Sequence, residues 1–194
     1  MKMESGRLNN LEYHLKLPTS TKDIEKLHAG DIVYLTGKIF TARDETHQLM
    51  LKKNKKHIPF DPSEMACFYC GPLMKKENNK WIVLSAGPTT SSRMEVFENK
   101  FIEKFNVNII IGKGHMGKKT ENTLNKHKGV YAVFTGGAGA LAADKVTEVL
   151  NVYWLKELGM TEAAWIFKVK EFGPLVVAID SHRGSIFKEI KNLT

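Results

Sequence analysis

Ser85-Ala86-Gly87-Pro88-Thr89-Thr90-Ser91-Ser92-Arg93-Met94 links an apolar run to a periodic one. Before it, Trp81-Ile82-Val83-Leu84 reads as a buried strand. After it, Met94, Phe97, Phe101, Ile102 and Phe105 recur on one face of a helix, with Glu95, Glu98, Lys100, Glu103 and Lys104 mostly away from that face. Thr90, Ser91 or Ser92 is expected to cap this helix. Unpaired backbone N–H groups and the positive end of the helix dipole would then face whatever lies in front of the strand. Arg93 adds a planar cation that can grip a carboxylate with two parallel hydrogen bonds. The stretch reads either as a small-anion site on an α/β unit or as an ordinary capped strand-to-helix turn.

The chain has 194 residues, 42% hydrophobic and 26% charged, which suits one globular domain with ample core. No apolar run nears the roughly 20 residues of a membrane span. The first residues, Met1-Lys2-Met3-Glu4-Ser5-Gly6, have no apolar segment of a secretory signal, so a cytoplasmic location with reduced thiols is expected. Residues 1–10 read as a flexible tail and 11–194 as a single domain. The net charge of +8 lies in surface-like runs such as Lys52-Lys53-Asn54-Lys55-Lys56. No helix-turn-helix, zinc-finger or RNA-binding signature accompanies it, so an acidic substrate or acidic partner accounts for the sign without nucleic acid.

Along the chain, Leu11 to Leu17 alternates like an edge strand, and Ser20 or Thr21 can cap a short helix over Lys22 to His28. Asp31 to Phe40 is strongly β-forming, with Gly37 as a bulge or close approach. Arg43 follows, where Asp44 and Glu45 suit the first turn of a helix. Ala66 to Cys70 reads as a strand in which Cys67 and Cys70 point to opposite faces, a structural rather than metal-binding or redox arrangement. Asn106 to Gly112 and Val130 to Phe134 are further strands, and a helix begins near Ala140 carrying Leu141, Val146 and Val149. Asn151 to Leu155, Ala163 to Val169 and Leu175 to Ile179 complete the strands, with Pro174 at the entry to the last. Trp154 and Trp165 read as core or interface aromatics, and His182 as solvated.

Gly112-Lys113-Gly114-His115-Met116-Gly117-Lys118-Lys119 matches two phosphate-binding patterns incompletely. The dinucleotide pattern lacks its acid about 20 residues on, and the phosphate loop has Lys119 where a magnesium-binding Ser or Thr is needed. What survives is Lys113 in a glycine-rich turn at a strand end. Four such ends thus carry Arg43, the Thr89-Thr90-Arg93 group, Lys113 and the Gly136-Gly137 turn, and ligands gather at such ends in α/β sheets. Three cations and two hydroxyls suit a molecule with two carboxylates. Yet no Ser-His-Asp set, acid/base pair or metal cluster is visible, so the constellation reads as half of a catalyst.

These residues resemble the C-terminal domain, or separate β subunit, of the class I fumarate hydratases and L(+)-tartrate dehydratases. The likeness runs from about Leu11 to Ser185. Its motifs are Gly30-Asp31, Thr41-Ala42-Arg43-Asp44 with His47, Gly71-Pro72, Ser85 to Thr90 with Arg93-Met94, Gly112-Lys113-Gly114, Gly136-Gly137-Ala138 and Ile179-Asp180-Ser181. It implies a swivelling β/β/α domain of the α/β class, a mixed sheet with flanking helices. It implies a hydro-lyase whose [4Fe-4S] cluster sits on a partner α subunit, because this chain has only Cys67 and Cys70 where three cluster cysteines are needed. By the same resemblance Thr89 matches the catalytic base, and Thr90, Arg93, Arg43 and Lys113 match substrate-binding positions. Neighbouring cations would make such a hydroxyl more acidic and steady the charge left when a proton departs next to a carboxylate.

The expected reaction is reversible hydration of fumarate to L-malate, with L(+)-tartrate dehydration to oxaloacetate as the alternative. A non-enzymatic anion- or nucleotide-binding module is a third reading. The expected assembly is a hetero-oligomer with the α subunit, or a homodimer of the chain by itself. Three segments depart from the single-chain fumarases: Ser91-Ser92 replaces Ala-Gly, His115 replaces a small or polar residue, and Glu171-Phe172-Gly173-Pro174 is nearer the tartrate dehydratase β subunits.

Overall fold

A computed structural model describes residues 10–135 and 137–191. The tail expected over residues 1–10 lies almost wholly outside them, as does Gly136. Strand β1 (Glu12–Lys16) leads through the short helix α1 (Thr21–Ile24), capped by Ser20, to the long strand β2 (Ile32–Thr41). Helix α2 (Asp44–Lys52) starts directly after Arg43. Then come β3 (Ala66–Phe68) and a hairpin, β4 (Leu73–Glu77) with β5 (Lys80–Ser85). A 3-10 turn over Ser91–Met94 enters α3 (Glu95–Phe105). The remainder is β6 (Ile109–Gly112), α4 (Lys118–His127), β7 (Val130–Phe134), α5 (Gly139–Asp144), β8 (Val146–Tyr153), α6 (Leu155–Leu158), β9 (Ala164–Ile179) and α7 (Ile186–Lys191).

Among the described residues the main sheet runs β1-β2-β3-β6-β7-β9-β8, and β9 also pairs with β2. The first five of these strands are parallel to one another, while β9 is antiparallel to β2, β7 and β8. Strand β9 therefore curls the sheet back on itself. Parallel strands buried on both faces read as continuous apolar runs, as Ile109-Ile110-Ile111 does.

Two cores follow, one on each face. Met74, Trp81 and Val83 of the hairpin, Ile24 near β1 and Ala142 of α5 pack against one face. Helices α2, α3 and α4 bring Met50, Phe101, Ile102, Phe105 and Leu124 to the other. Hairpin, sheet and helices thus form β, β and α layers, the mixed α/β architecture expected.

Several elements differ from the sequence reading. Strand β5 lies in the hairpin rather than the main sheet, and Ile82 and Leu84 are 40% and 49% exposed. Its apolar run is amphipathic because only Trp81 and Val83 face inward. The segments on either side of Gly173-Pro174 form one strand; a bulge with Glu171 at positive φ carries β9 past Pro174. Val146 and Val149 belong to β8, since α5 ends at Asp144. Leu155 opens α6 instead of closing a strand, and α1 stops at Ile24, four residues short of His28. Glu98, expected away from the apolar face of α3, is fully buried. His182 is exposed but not simply solvated: its Nε2 lies 2.7 Å from the Glu25 carbonyl and its ring stacks on His28.

Trp165 joins the layers. Its ring is fully buried, meets Trp81 of the hairpin edge-on at 5.0 Å, and donates Nε1–H to the Met160 carbonyl at 2.8 Å. Trp165→Ala should lower the unfolding free energy in urea by about 3–5 kcal/mol. A loss below about 1 kcal/mol would show that the hairpin layer is not anchored there.

Candidate functional site

Each strand end contributes through a local device. Arg43 is the residue before α2 and has extended backbone angles. Its Nε lies 3.2 Å from Glu162 Oε1, close enough for an ion pair but without hydrogen-bond alignment. Glu162 also accepts the Glu45 N–H through Oε2 at 3.1 Å, so one carboxylate caps α2 and holds the arginine. Burial raises the Glu162 carboxyl above its ordinary range, against the pull of Arg43. Gly71 is needed beside this pair, because a Cβ there would collide with Arg43 Nη1 and come within 2.8 Å of the Thr161 carbonyl.

The Gly87–Thr90 loop crosses the ends of β3 and β6. Pro88 bridges to Cys70, and the Thr89 N–H donates to the Tyr69 carbonyl at 2.7 Å. Thr90 bridges to Lys113. Ser91 then locks the register: its N–H donates to the Lys113 carbonyl at 3.1 Å, and its Oγ accepts the Lys113 N–H at 2.9 Å. The expected hydroxyl cap is therefore absent: neither the 3-10 turn after Thr90 nor α3 has a side-chain cap. Ser91 spends its hydroxyl on β6, and Gly112 leaves the room for it, since a Cβ there would overlap Ser91 Oγ.

Arg93 is exposed and pairs with Asp44, the neighbour of Arg43. The chain of contacts Arg43–Gly71, Tyr69–Thr89, Thr90–Lys113 and Arg93–Asp44 gathers all five predicted residues at one end of the sheet. Arg43 and Thr89 are half-buried, while Thr90, Arg93 and Lys113 are exposed. The cluster faces outward. Gly136 of the fourth strand-end turn lies outside the described residues; just beyond the turn, the Gly139 carbonyl that opens α5 accepts the Ala86 N–H at 2.9 Å.

The glycine loop is otherwise engaged. Glu95 accepts the Gly117 N–H at 2.8 Å and the Thr120 hydroxyl at 2.9 Å, placing a carboxylate at the N-terminus of α4 where a phosphate would have to sit. His115 is exposed and packs edge-on against Phe187 at 4.9 Å. Cys67 and Cys70 are buried in separate cores, and burial pushes both thiols up. They are not placed to share a ligand, and among the described residues no group of three or more His, Cys, Asp or Glu side chains could hold a metal ion.

Sequence reasoning missed the partners: Glu162, Asp44 and a buried trio beneath the site. The Tyr69 hydroxyl donates to Glu98 Oε2, and His47 Nε2 lies 3.8 Å from the same oxygen. His47 Nδ1 sits 2.7 Å from the Arg43 carbonyl. An acid at helical spacing among aromatics was the available signal: Glu98 lies between Phe97 and Phe101, near the inward-facing stripe.

The family described as fumarase C-terminus matches residues 2–190. The chain belongs to that family. A protein of Methanocaldococcus jannaschii provisionally named L(+)-tartrate dehydratase subunit beta is 51% identical over 87% of this chain and 88% of its own length. The L(+)-tartrate dehydratase subunit beta of Escherichia coli K12 is 43% identical over 92% and 88%. A Geobacillus stearothermophilus protein provisionally named class I fumarate hydratase is 39% identical over 91% of this chain, which spans 34% of that longer polypeptide. No helix among the described residues of this fumarase C-terminus chain is long and apolar enough to cross a membrane.

The buried trio gives stability a pH signature. Burial, helped by Glu95 and opposed by the Tyr69 hydrogen bond, raises Glu98 from 4.5 to about 8. Burial lowers His47 from 6.5 to about 4. Between about pH 4.5 and 8 the folded chain keeps a Glu98 proton that the unfolded chain releases, so stability falls as pH rises. His47 acts oppositely from about 4 to 6.5, where only the unfolded chain takes up a proton. The two offset below pH 6.5; above it Glu98 acts without His47, and exposed His14, raised chiefly by its hydrogen bond to Glu171, acts in the same direction. For Glu98 this amounts to a drop of about 2 kcal/mol in the unfolding free energy in urea from pH 6.5 to 8, and Glu98→Gln should remove most of the fall. An unchanged drop in the variant would assign it elsewhere.

Proposed function

We propose that this chain is the β subunit of an iron–sulfur hydro-lyase that interconverts fumarate and L-malate, acting with a cluster-bearing α subunit. The observation that carries the reading is that Arg43, Thr89, Thr90, Arg93 and Lys113 lie at one end of the sheet, with Thr90, Arg93 and Lys113 exposed. Three cations match two carboxylates, and one threonine stands ready as a base. A [4Fe-4S] cluster on the α subunit would supply a Lewis acid for the departing hydroxyl.

On this chain, Arg43, Arg93 and Lys113 bind and orient the carboxylates, and Thr90 adds a hydrogen bond. These cations lower the pKa of the Thr89 hydroxyl and so favour its alkoxide, which takes the proton from the carbon bearing no hydroxyl and becomes the hydroxyl again. The electron pair left behind spreads onto the adjacent carboxylate, whose extra charge the same cations stabilise. Loss of hydroxide from the neighbouring carbon forms the double bond; in hydration Thr89 returns the proton.

L(+)-tartrate dehydratase is the second reading. It is favoured by the names of the relatives at 51% and 43% identity, against 39% for the one named for fumarate. The two substrates share both carboxylates and the leaving hydroxyl, and tartrate carries one hydroxyl more. Cytoplasmic location and hetero-oligomeric assembly belong to the same proposal.

The test is to co-purify the chain anaerobically with its cysteine-bearing partner and follow malate and L(+)-tartrate dehydration side by side. Thr89→Ala should lower kcat at least about 100-fold. Lys113→Ala or Arg93→Ala should instead raise KM about tenfold or more, as loss of a charged hydrogen bond costs about 1.5–3 kcal/mol. Turnover surviving Thr89→Ala would remove the base assignment, and preference for tartrate would select the second reading.

A further inference from the structure

Glu98, Tyr69 and His47 lie wholly inside the core of helices α2 and α3, among Phe97, Phe101 and one another's rings. Three polar side chains in an aromatic core are costly unless each is satisfied. Here His47 Nε2 and Glu98 Oε1 have no hydrogen-bond partner. Apolar side chains of the same volume would serve stability at least as well. Such an arrangement calls for another role, and the backbone atoms at its ends indicate one.

The Arg43 carbonyl receives the His47 N–H at 2.9 Å and lies 2.7 Å from His47 Nδ1. The first contact is ordinary helix pairing; the second ties the ring to the residue that starts α2. A carbonyl only accepts, so Nδ1 carries the proton and Nε2 is a bare acceptor turned toward Glu98. The Tyr69 hydroxyl ends on the same Glu98 oxygen. The Tyr69 main chain takes the Thr89 N–H at its carbonyl and gives its own N–H to Ile111 at 2.8 Å, two residues before Lys113. One buried carboxyl thus sits where the supports of Arg43, Thr89 and Lys113 meet.

We infer that Glu98, Tyr69 and His47 are positioning residues that set the register of Arg43 against Thr89 and Lys113 without touching substrate. This rests on the roles proposed above for those three. Neutral Glu98 can offer a proton toward bare Nε2 while accepting from Tyr69; ionised Glu98 cannot, and it repels the Nε2 lone pair. The titratable groups around it are Tyr69, His47 of α2, Cys67 of β3, Tyr131 of β7 and Glu95 of its own helix. The Tyr69, Cys67 and Tyr131 protons are held by burial well above Glu98's range. Its ionisation therefore separates from theirs; it tightens the Tyr69 bond while pushing His47 away, and so shifts the two supports against each other.

The test uses the 15N-labelled full chain and the assembled complex. In the chain, the Thr89 amide and the His47 ring should titrate together with a midpoint near pH 8, and in Glu98→Gln both should be flat. In the complex, Tyr69→Phe should lower kcat about tenfold or more with KM held within about twofold, as expected for misplaced groups. Glu98→Gln should keep wild-type activity near neutrality and lose the alkaline fall near pH 8. Resonances that titrate alike in wild type and Glu98→Gln would overturn the inference, even in an active hydro-lyase. Titration that follows Glu98 in a complex without hydro-lyase activity would uphold the register and overturn the functional reading instead.

Discussion

The reciprocal bond pair between Ser91 and Lys113, closed over the bare Cα of Gly112, is the constraint on which the site depends. The hairpin ahead of Ser91 is outside the main sheet, so nothing in the sheet's ladder fixes where its loop should land. Ser91 supplies that missing register by pairing with the end of β6 on both its N–H and its hydroxyl. Thr90 then falls beside Lys113, Thr89 reaches the Tyr69 carbonyl, and α3 starts where Arg93 can meet Asp44. Two ordinary hydrogen bonds place a loop from one layer onto strand ends of another.

This also explains which parts of the molecule could be read from its residues. Segments with one dominant determinant were legible: the apolar run Ile109-Ile110-Ile111, the alternation of β1, the aromatic period of α3, and Cys67 and Cys70 facing apart. Segments set by long-range contact were not. Trp81 to Leu84 has the composition of a buried strand and is half-exposed, because only tertiary pairing tells a hairpin face from a sheet interior. Gly173-Pro174 has the look of a break, yet β9 runs through it since partners on both sides continue to pair. Val146 and Val149 suit either a helix or a strand, and β9 decided it.

The site divides in the same way. Its five side chains each stand at a strand end or helix start, which local patterns announce. The groups that hold them do not stand there. Glu162 is 119 positions from Arg43, and Asp44 is 49 from Arg93. Glu98 looked like a surface acid because only part of α3's circumference is apolar, and the aromatic stripe proved wide enough to enclose it.

The two arginines are held with different firmness, and that bears on how an anion could enter. The Arg43–Glu162 pair is largely sheltered, and its carboxylate also caps α2, so separating it would uncover a helix start as well as a charge. The Arg93–Asp44 pair stands in solvent on the arginine side, where such pairs contribute at most about 1 kcal/mol. If Arg43 and Arg93 bind carboxylates as proposed, an incoming one would displace Asp44 from Arg93 at small cost but would have to approach Arg43 alongside Glu162. Lys113 is exposed just past the end of β6 and carries no ion pair among the described residues. A partner subunit covering this face would lower the local dielectric and strengthen the two looser cations most, since Arg43 already lies in partial shelter. On that arrangement a firm anchor is built into the fold, and the remaining grip awaits the surface that closes over it.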